Sequence, residues 1–345
     1  GSGGTGFVVD TERGLLVTNQ HISTESPTSK INIFFNNGEM TSAKVLYYDP
    51  WHDFAFMKYD PSSIRLKPKA VSFGSIHDVH EGDIVCLMGN SSSEQFSVKS
   101  GNVNRVFVSK APQDIGRHSH HVHLSLARAG GASGSPVFTA RGKVIGLHTS
   151  GKENESFELR IEYVRDALLQ IQRGEVPKRG DLLLSLYAVR IQRGPDYMGF
   201  DPKKYDPAKN PGWPRKDMLL VDLLVPGSEA ASKLTQADVI LGIRGEKESE
   251  FHRILRDGKE LEFDLHVHDA EAGKVKRFAL FSGGVFHDLT TSLALGLDHP
   301  MGSGVFLSQS SSGSPFEIGK LVKDTTNKRQ IVIDKVGRVS VHGLE

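Results

Sequence analysis

The chain is poor in three things, and each absence narrows what it can be. It has one cysteine, Cys86, so no disulfide can form within it. Cys86 lies in the apolar run Asp83-Ile84-Val85-Cys86-Leu87-Met88-Gly89, where a thiol buried in a strand is the expectation. No apolar run approaches the ~20 residues that span a bilayer as a helix, so no membrane-crossing helix is marked. Charge of one sign is also lacking. Lys and Arg number 42 against 41 Asp and Glu, a formal net charge of +1, which gives no pull toward nucleic acid or an anionic membrane surface. What the chain does have is length and glycine. Its 345 residues suffice for two or three domains, and 38% hydrophobic content supports packed cores. Its 36 glycines suit strands and turns better than helices.

Up to about residue 174, short apolar runs alternate with turn signals every eight to fifteen residues, the pattern of an all-β barrel or sandwich. Strands are predicted at 6–10, 14–19, 31–35, 43–48, 54–59, 84–88, 97–108, 122–126, 137–138 and 144–148. Ile161, Val164, Leu168 and Ile171 then recur at helical spacing, and Gly174 ends the run.

Three residues in this region form a chemical set. Gly130-Gly131-Ala132-Ser133-Gly134-Ser135-Pro136 reads as a tight turn between two strands. Such a turn can aim the amides of Gly131 and Ser133 at a point where a carbonyl oxygen gains negative charge during acyl transfer, with the Ser133 hydroxyl as nucleophile. Taken alone it is equally an ordinary glycine-serine turn. His21 follows Thr18-Asn19-Gln20 at the end of an apolar strand, well placed to face a cleft. Asp53 precedes the strand Phe54-Ala55-Phe56 and is drawn into the core, where a carboxylate needs a partner. Orienting a histidine would supply one. The order His21, Asp53, Ser133 is that of one known arrangement of the serine-protease triad.

Gly4-Thr5-Gly6-Phe7-Val8-Val9, Thr18-Asn19-Gln20-His21, His52-Asp53-Phe54-Ala55-Phe56 and Gly131-Ala132-Ser133-Gly134-Ser135-Pro136 together resemble the HtrA (Deg) family of serine proteases. The Ser-Gly-Ser-Pro form is similar to the branch with the fungal nuclear HtrA proteases and a plant Deg protease. The resemblance implies a mainly β fold, a chymotrypsin-like double β-barrel protease domain followed by PDZ-like α+β domains. It implies a serine endopeptidase acting on unfolded or damaged proteins through an acyl-enzyme, with His21, Asp53 and Ser133 as triad and the Gly131 and Ser133 amides as oxyanion hole. No cofactor or metal is implied. It places the floor of the primary specificity pocket at Ala127 and its wall at Leu147, His148 and Thr149. No carboxylate is positioned there to pair with Lys or Arg, so a small aliphatic residue before the scissile bond is expected. Arg128 reads as a solvated loop charge. The family carries a further strand before Gly4 and residues that often build a trimer, so more chain before residue 1 and a homo-oligomer are the expectations. Partners are protein or peptide substrates, and no compartment is indicated. A peptide-binding or chaperone-like scaffold, its protease domain resting in an inactive arrangement, is the alternative that these residues leave open.

His118-Ser119-His120-His121-Val122-His123 places histidines two apart on a strand, a spacing zinc could use. No cysteine or carboxylate cluster accompanies it, so a polar loop running into a strand is the reading.

Residues 174–180 read as a linker between residues 1–174 and a unit at 175–280. In that unit strands are predicted at 182–191, 218–225, 237–245, 261–267 and 275–280, with a capped helix at 226–234 and another helix around Phe251, Ile254 and Leu255. Gly194–Arg215, rich in proline, reads as a long loop. Pro226-Gly227-Ser228-Glu229-Ala230 followed by an apolar strand and glycine resembles the PDZ domains of the same family. The groove loop falls near Lys178–Leu182, where Gly180 lacks apolar neighbours, so a structural spacer and a peptide binder stay equally open. Residues 281–345 repeat the pattern in outline, as a second PDZ-like unit that stops before a closing helix and strand. Continuation beyond residue 345 is therefore expected. Ser312-Gly313-Ser314-Pro315 echoes the serine turn without its accompanying residues and is read as a decoy.

Overall fold

The computed structural model describes residues 3–23, 30–91, 95–108, 119–126, 131–190, 199–201, 204, 217–246, 249–318, 331–336 and 338–344. The chain divides into two compact units, Gly1–Pro177 and Lys178–Glu345.

The first unit is built from two sheets. Strands β1 (Phe7–Asp10), β2 (Leu15–Thr18), β3 (Ile31–Phe34), β4 (Met40–Tyr48) and β5 (Ala55–Tyr59) form one of five strands in the order β1-β2-β5-β4-β3. A one-turn helix, α1 (Gln20–Ser23), follows β2 directly. The second sheet comprises β6 (Ser72–Phe73), β7 (Ile84–Ser91), β8 (Gln95–Val108), β9 (His121–Leu124), β10 (Pro136–Thr139), β11 (Lys143–Lys152) and β12 (Glu155–Arg160). Its order is β10-β7-β8-β9-β12-β11-β6, and a further pairing of β10 with β11 closes it into a barrel. Helix α2 (Ile161–Gln172) follows, with Ile161, Val164 and Leu168 buried as the periodicity requires and Gly174 ending it at φ +81°. One core fills the second barrel around Val85, Val122, Val137 and Ile145. A second joins Val17 and Phe56 of the first sheet, and Phe54 just before β5, to Leu147 and Leu159 of the second sheet and Ile161 of α2. The turn that carries Ser133 precedes β10, the strand that closes the barrel. Cys86 alternates with buried Val85 and Leu87 and is only partly buried. The buried-thiol expectation fails because residue 86 faces away from the barrel core.

In the second unit, β13 (Gly180–Asp181) precedes a five-stranded antiparallel sheet in sequential order. Its strands are β14 (Leu184–Arg190), β15 (Asp217–Leu224), β16 (Val239–Glu246), β17 (Ser249–Arg256) and β18 (Lys259–His266). Helix α3 (Glu229–Lys233) lies between β15 and β16, capped by Ser228, whose hydroxyl accepts the Ala231 N–H. The helix expected around Phe251, Ile254 and Leu255 is β17 instead. Ile254 pairs with Ile240 and Leu261, and Leu255 with Val239 and Glu260. Ile254 packs with Val221 and Ile240 on one face, Leu255 with Leu220 and Leu241 on the other. A central strand covered on both faces needs apolar residues side by side, and that imitates helical spacing.

Strand β19 (His268–Asp269) pairs with β13. A four-stranded sheet follows, of β20 (Phe278–Phe281), β21 (Gly284–Asp288), β22 (Val305–Ser310) and β23 (Ile331–Ile333), with α4 (Thr291–Leu297) and α5 (Pro315–Ile318) in its connections. Ser314, in the serine turn read as a decoy, accepts the Glu317 N–H at the start of α5.

Candidate active site

The histidine half of the site is assembled by one carboxylate. After β2, Asn19 is fully buried and its side-chain amide donates to the Asp53 carbonyl at 2.9 Å. Its own carbonyl accepts the Ile22 and Ser23 N–H groups, which curls the chain into α1 and puts His21 on that helix rather than on the strand. The His21 N–H donates to Asp53 Oδ1 at 3.0 Å, and its Nδ1 lies 2.7 Å from Asp53 Oδ2. One buried side chain therefore holds both the main chain and the ring of His21. With Nδ1 as donor to the carboxylate, Nε2 is left as the ring's proton acceptor. Asp49 is buried as well, but Trp51 and His52 donate their N–H groups to it and Tyr47 its hydroxyl. It builds the turn that leads to Asp53.

The serine half is a turn in which the carbonyls of Gly131, Ala132, Ser133 and Ser135 are engaged. Thr5 N–H donates to the Ser133 carbonyl at 2.8 Å, and Thr5 Oγ1 donates to the Gly131 carbonyl at 3.0 Å. Ser135 N–H donates to the Ala132 carbonyl. On the far side the Gly134 N–H donates to the His148 carbonyl and the His148 N–H to the Ser135 carbonyl, both at 2.9 Å. Among the described residues, the N–H groups of Gly131, Ala132 and Ser133 donate to no acceptor. Glycine is required at 134, where φ is +86° and a Cβ would lie 2.0 Å from the Thr5 carbonyl oxygen and 2.5 Å from Thr18 Oγ1. Gly131 also sits at positive φ, +83°.

The two halves approach through Gly4. A Cβ there would be 3.0 Å from both Ile22 Cγ1 and the Ser133 carbonyl oxygen, so Ile22, the residue after His21, and Ser133 both lie against it. Among the described residues no hydrogen bond joins Ser133 Oγ to His21. In unliganded enzymes such contacts are often long and tighten with substrate.

Strand β11 carries Leu147, His148 and Thr149, all buried; Ala127 and Arg128 lie outside the described residues. Thr149 donates its hydroxyl to the Phe157 carbonyl. His148 Nδ1 lies 3.1 Å from Glu158 Oε2, and the Ser156 hydroxyl donates to Glu158 Oε1 at 2.6 Å. Glu158 is the carboxylate that the sequence did not disclose at this wall, and it is wholly buried and already matched. Gly146 makes room for it, since a Cβ there would come within 2.8 Å of Glu158 Cβ.

The histidine run serves the interior. His121 is buried, its Nδ1 without a partner, and burial pushes its pKa down to about 4 while Glu158 and Asp53 pull the other way. It is neutral at neutral pH. Ser119 shares a 2.7 Å hydrogen bond with His52 Nδ1, and His120 Nδ1 lies 3.1 Å from the Tyr163 hydroxyl. His123 stacks on Phe157. Among the described residues no cluster of His, Cys, Asp and Glu could hold a metal ion.

Thr5, Asn19 and Glu158 escaped the sequence reading. The first two lie inside the quoted motifs, and their neighbours' chemistry hid them. Glu158 follows a charged turn, and nothing local marks it as buried.

A model of the trypsin-like peptidase domain matches residues 4–147. The pro-apoptotic serine protease nma111 of Aspergillus oryzae is 29% identical over 316 residues, covering 83% of this chain and 30% of the relative. Its counterpart in Meyerozyma guilliermondii is 28% identical over 341 residues, covering 91% and 34%. The chain thus spans about a third of the length of these curated relatives. Among solved structures, the HtrA-type protease AlgW with a decapeptide aligns at TM-score 0.55 and 20% identity, over 77% of this chain and 82% of that one. AlgW with a tripeptide aligns at TM-score 0.56 and 20% identity, over 77% and 89%.

Proposed function

Because this chain belongs to the HtrA/Deg family of chymotrypsin-like serine proteases, we propose that it is an endopeptidase working through an acyl-enzyme on Ser133. Ser133 Oγ attacks the scissile carbonyl and gives its proton to His21 Nε2. The carbonyl oxygen takes up negative charge against the Gly131 and Ser133 N–H groups. The C–N bond then breaks as His21 passes that proton to the departing amine. Water repeats the sequence on the ester, with His21 again as base, and releases the acid. Asp53 holds His21 in the required tautomer and stabilises its protonated form. The observation that carries this reading is the double hold of Asp53 on His21, at 3.0 and 2.7 Å, beside a turn with spare amides.

The substrates are unfolded or damaged proteins, cut after small aliphatic residues. The family resemblance assigns the pocket floor to Ala127, which lies outside the described residues, and its wall to Leu147, His148 and Thr149. Glu158 is matched by His148 and Ser156, so no free countercharge awaits Lys or Arg. In a peptide library we expect cleavage after Val or Ala, and an Arg preference would overturn the pocket assignment. Residues 1–174 form the protease domain, and 175–280 and 281–345 are PDZ-like modules that handle substrate or regulate it. Among the described residues β14 stands at an edge of the first module's sheet, where an extended peptide would add as a further strand. Calorimetry of C-terminal peptides on the full chain carrying Ser133→Ala tests this, and absence of binding would leave the modules as spacers. The trimer implied by the family is checked by light scattering.

The absence, among the described residues, of a hydrogen bond between Ser133 Oγ and His21 favours the second reading, a scaffold with a resting protease. One experiment decides. We expect a fluorophosphonate to label Ser133, and Ser133→Ala to abolish proteolysis with the unfolding midpoint unchanged, since a small hydroxyl at a cleft contributes little to stability. Undiminished cleavage by the variant would exclude Ser133 as nucleophile, and an unlabelled native protein would support the scaffold.

A further inference from the structure

We infer that Thr5 is a positioning residue for catalysis, its hydroxyl holding the nucleophile turn in the form that keeps the Gly131 and Ser133 N–H groups available. The inference rests on the protease reading above.

Every polar group of Thr5 is engaged, and each engagement touches the site. Its N–H donates to the Ser133 carbonyl at 2.8 Å. Its Oγ1 donates to the Gly131 carbonyl at 3.0 Å and accepts the Asn90 N–H at 2.9 Å. Its carbonyl accepts the Thr18 hydroxyl at 2.7 Å. Thr18 ends β2, three residues before His21, and Asn90 lies on β7 of the closed barrel. One residue therefore ties the segment bearing the base, the wall of the second barrel and both ends of the tripeptide Gly131-Ala132-Ser133.

The side-chain hydroxyl is what makes this more than packing. Glycine at 131 can take either sign of φ at little cost, so the Gly131–Ala132 peptide plane has no intrinsic reason to keep one orientation. A peptide plane rotated there turns its carbonyl toward the space where the substrate oxygen develops charge, and opposes that charge. Only an external donor on the Gly131 carbonyl prevents this, and Thr5 Oγ1 is the donor. The Asn90 N–H fixes the direction in which the hydroxyl points, because a hydroxyl that accepts from one side donates to another. The main-chain N–H of Thr5 anchors Ser133 whatever the side chain, so substitution removes the Gly131 and Asn90 contacts of the hydroxyl and leaves the Ser133 contact in place.

The test compares Thr5→Val, which keeps the shape and removes the hydroxyl, with Thr5→Ser, which restores it. One neutral hydrogen bond shifts an equilibrium by about tenfold. For Thr5→Val we expect kcat and the rate of fluorophosphonate labelling of Ser133 to fall about tenfold, with KM within about twofold, because ground-state binding does not use the Gly131 carbonyl. Thr5→Ser should recover both rates to within about threefold. Rates are taken per folded molecule from a parallel denaturant titration, and Thr5→Ala carries the same expectation if Thr5→Val does not fold. Equal impairment of the Val and Ser variants, or wild-type rates in Thr5→Val, would overturn the inference while leaving Ser133 as nucleophile. Failure of the native protein to be labelled would overturn the protease reading, and this inference with it.

Discussion

Both units bury polar side chains, but the bonds that match them span different distances along the chain. In the first unit the buried polar bonds join remote segments. His21 and Asp53 are 32 residues apart, and His52 and Ser119 are 67 apart. In the second unit the buried carboxylates also draw on nearby backbone, while buried Ser185 bonds Asp222 and Leu223, 37 and 38 residues on, across the β14–β15 ladder. Asp181 accepts the Leu183 N–H two residues on, and Asp238 accepts the Thr235 N–H three residues back and pairs with Arg256 on the adjoining strand. Burying a polar group is costly unless it is matched, and a turn can match it from nearby backbone. Polarity that serves a turn therefore stays local. Long-range buried polarity joins segments that only the fold brings together, as in the double hold of Asp53 on His21.

The sharpest test of that contrast exchanges one buried carboxylate in each unit for its amide. Asp53→Asn permits the wrong His21 tautomer and removes the charge that stabilises imidazolium, so kcat should fall about ten-thousand-fold with KM little changed. Asp238→Asn should lower the unfolding free energy of the second unit by about 3 kcal/mol, read as a lower denaturant midpoint, and leave peptide turnover within about twofold. Steady-state kinetics and urea titrations of both variants are the measurements. If Asp53→Asn kept near-native turnover, the third triad member would have to be sought elsewhere, although Asp49 is already committed to its turn.

A smaller difference is expected between two glycines. Gly134→Ala would force a Cβ to within 2.0 Å of the Thr5 carbonyl oxygen at φ +86°, and should cost the first unit more than about 3 kcal/mol and abolish labelling of Ser133. Gly227→Ala meets nothing within 4 Å at φ +77°, and should cost about 1 kcal/mol. Equal losses by thermal denaturation would mean that the Thr5 contact does not constrain the turn.

The mildest test is pH, where the units should respond with opposite sign. His121 in the folded state has its pKa pushed down to about 4 from an ordinary 6.5, so below pH 6.5 the unfolded chain takes up a proton that the folded one refuses. The first unit should lose about 3 kcal/mol as pH falls from 6.5 to 4. Burial raises Asp181 to about 6 from 3.8. Here the folded state keeps a proton that the unfolded chain has released, so the second unit should lose about 3 kcal/mol as pH rises from 3.8 to 6. Calorimetric scans from pH 4 to 8 should show the two slopes, and His121→Gln and Asp181→Asn should each flatten one of them.

How far the sequence was legible depends on the same distinction. The strands of the first unit up to β5, helix α2 and the helix after Ser228 follow from alternation, helical spacing and a capping serine, all signals carried by neighbouring residues. His21 and Asp53 were recognisable because each lies in a local pattern, and the structure then brings them to 2.7 Å. Glu158 was not, because its partner His148 lies across the β11–β12 ladder and Glu155-Ser156-Phe157-Glu158 reads as a polar turn. β17 was misread for the related reason that both its faces are covered by other strands and helices, which sequence spacing cannot register. Thr5 was quoted only as the variable residue between two glycines, since a hydroxyl's partners 85 and 126 residues away leave no trace around it.

His148 holds the nucleophile turn through its peptide groups alone, by one N–H and one carbonyl, while its imidazole answers to Glu158. Almost any amino acid could supply those two peptide groups. Divergence at this position is therefore uncoupled from the machinery next to it. If the proposed pocket wall is right, changing 148 and 158 together would alter which side chains the cleft accepts without re-inventing the strand that supports the serine. Selectivity is free to drift where reactivity is not, and a directed-evolution library randomised at these two positions would explore it without first disabling the catalyst.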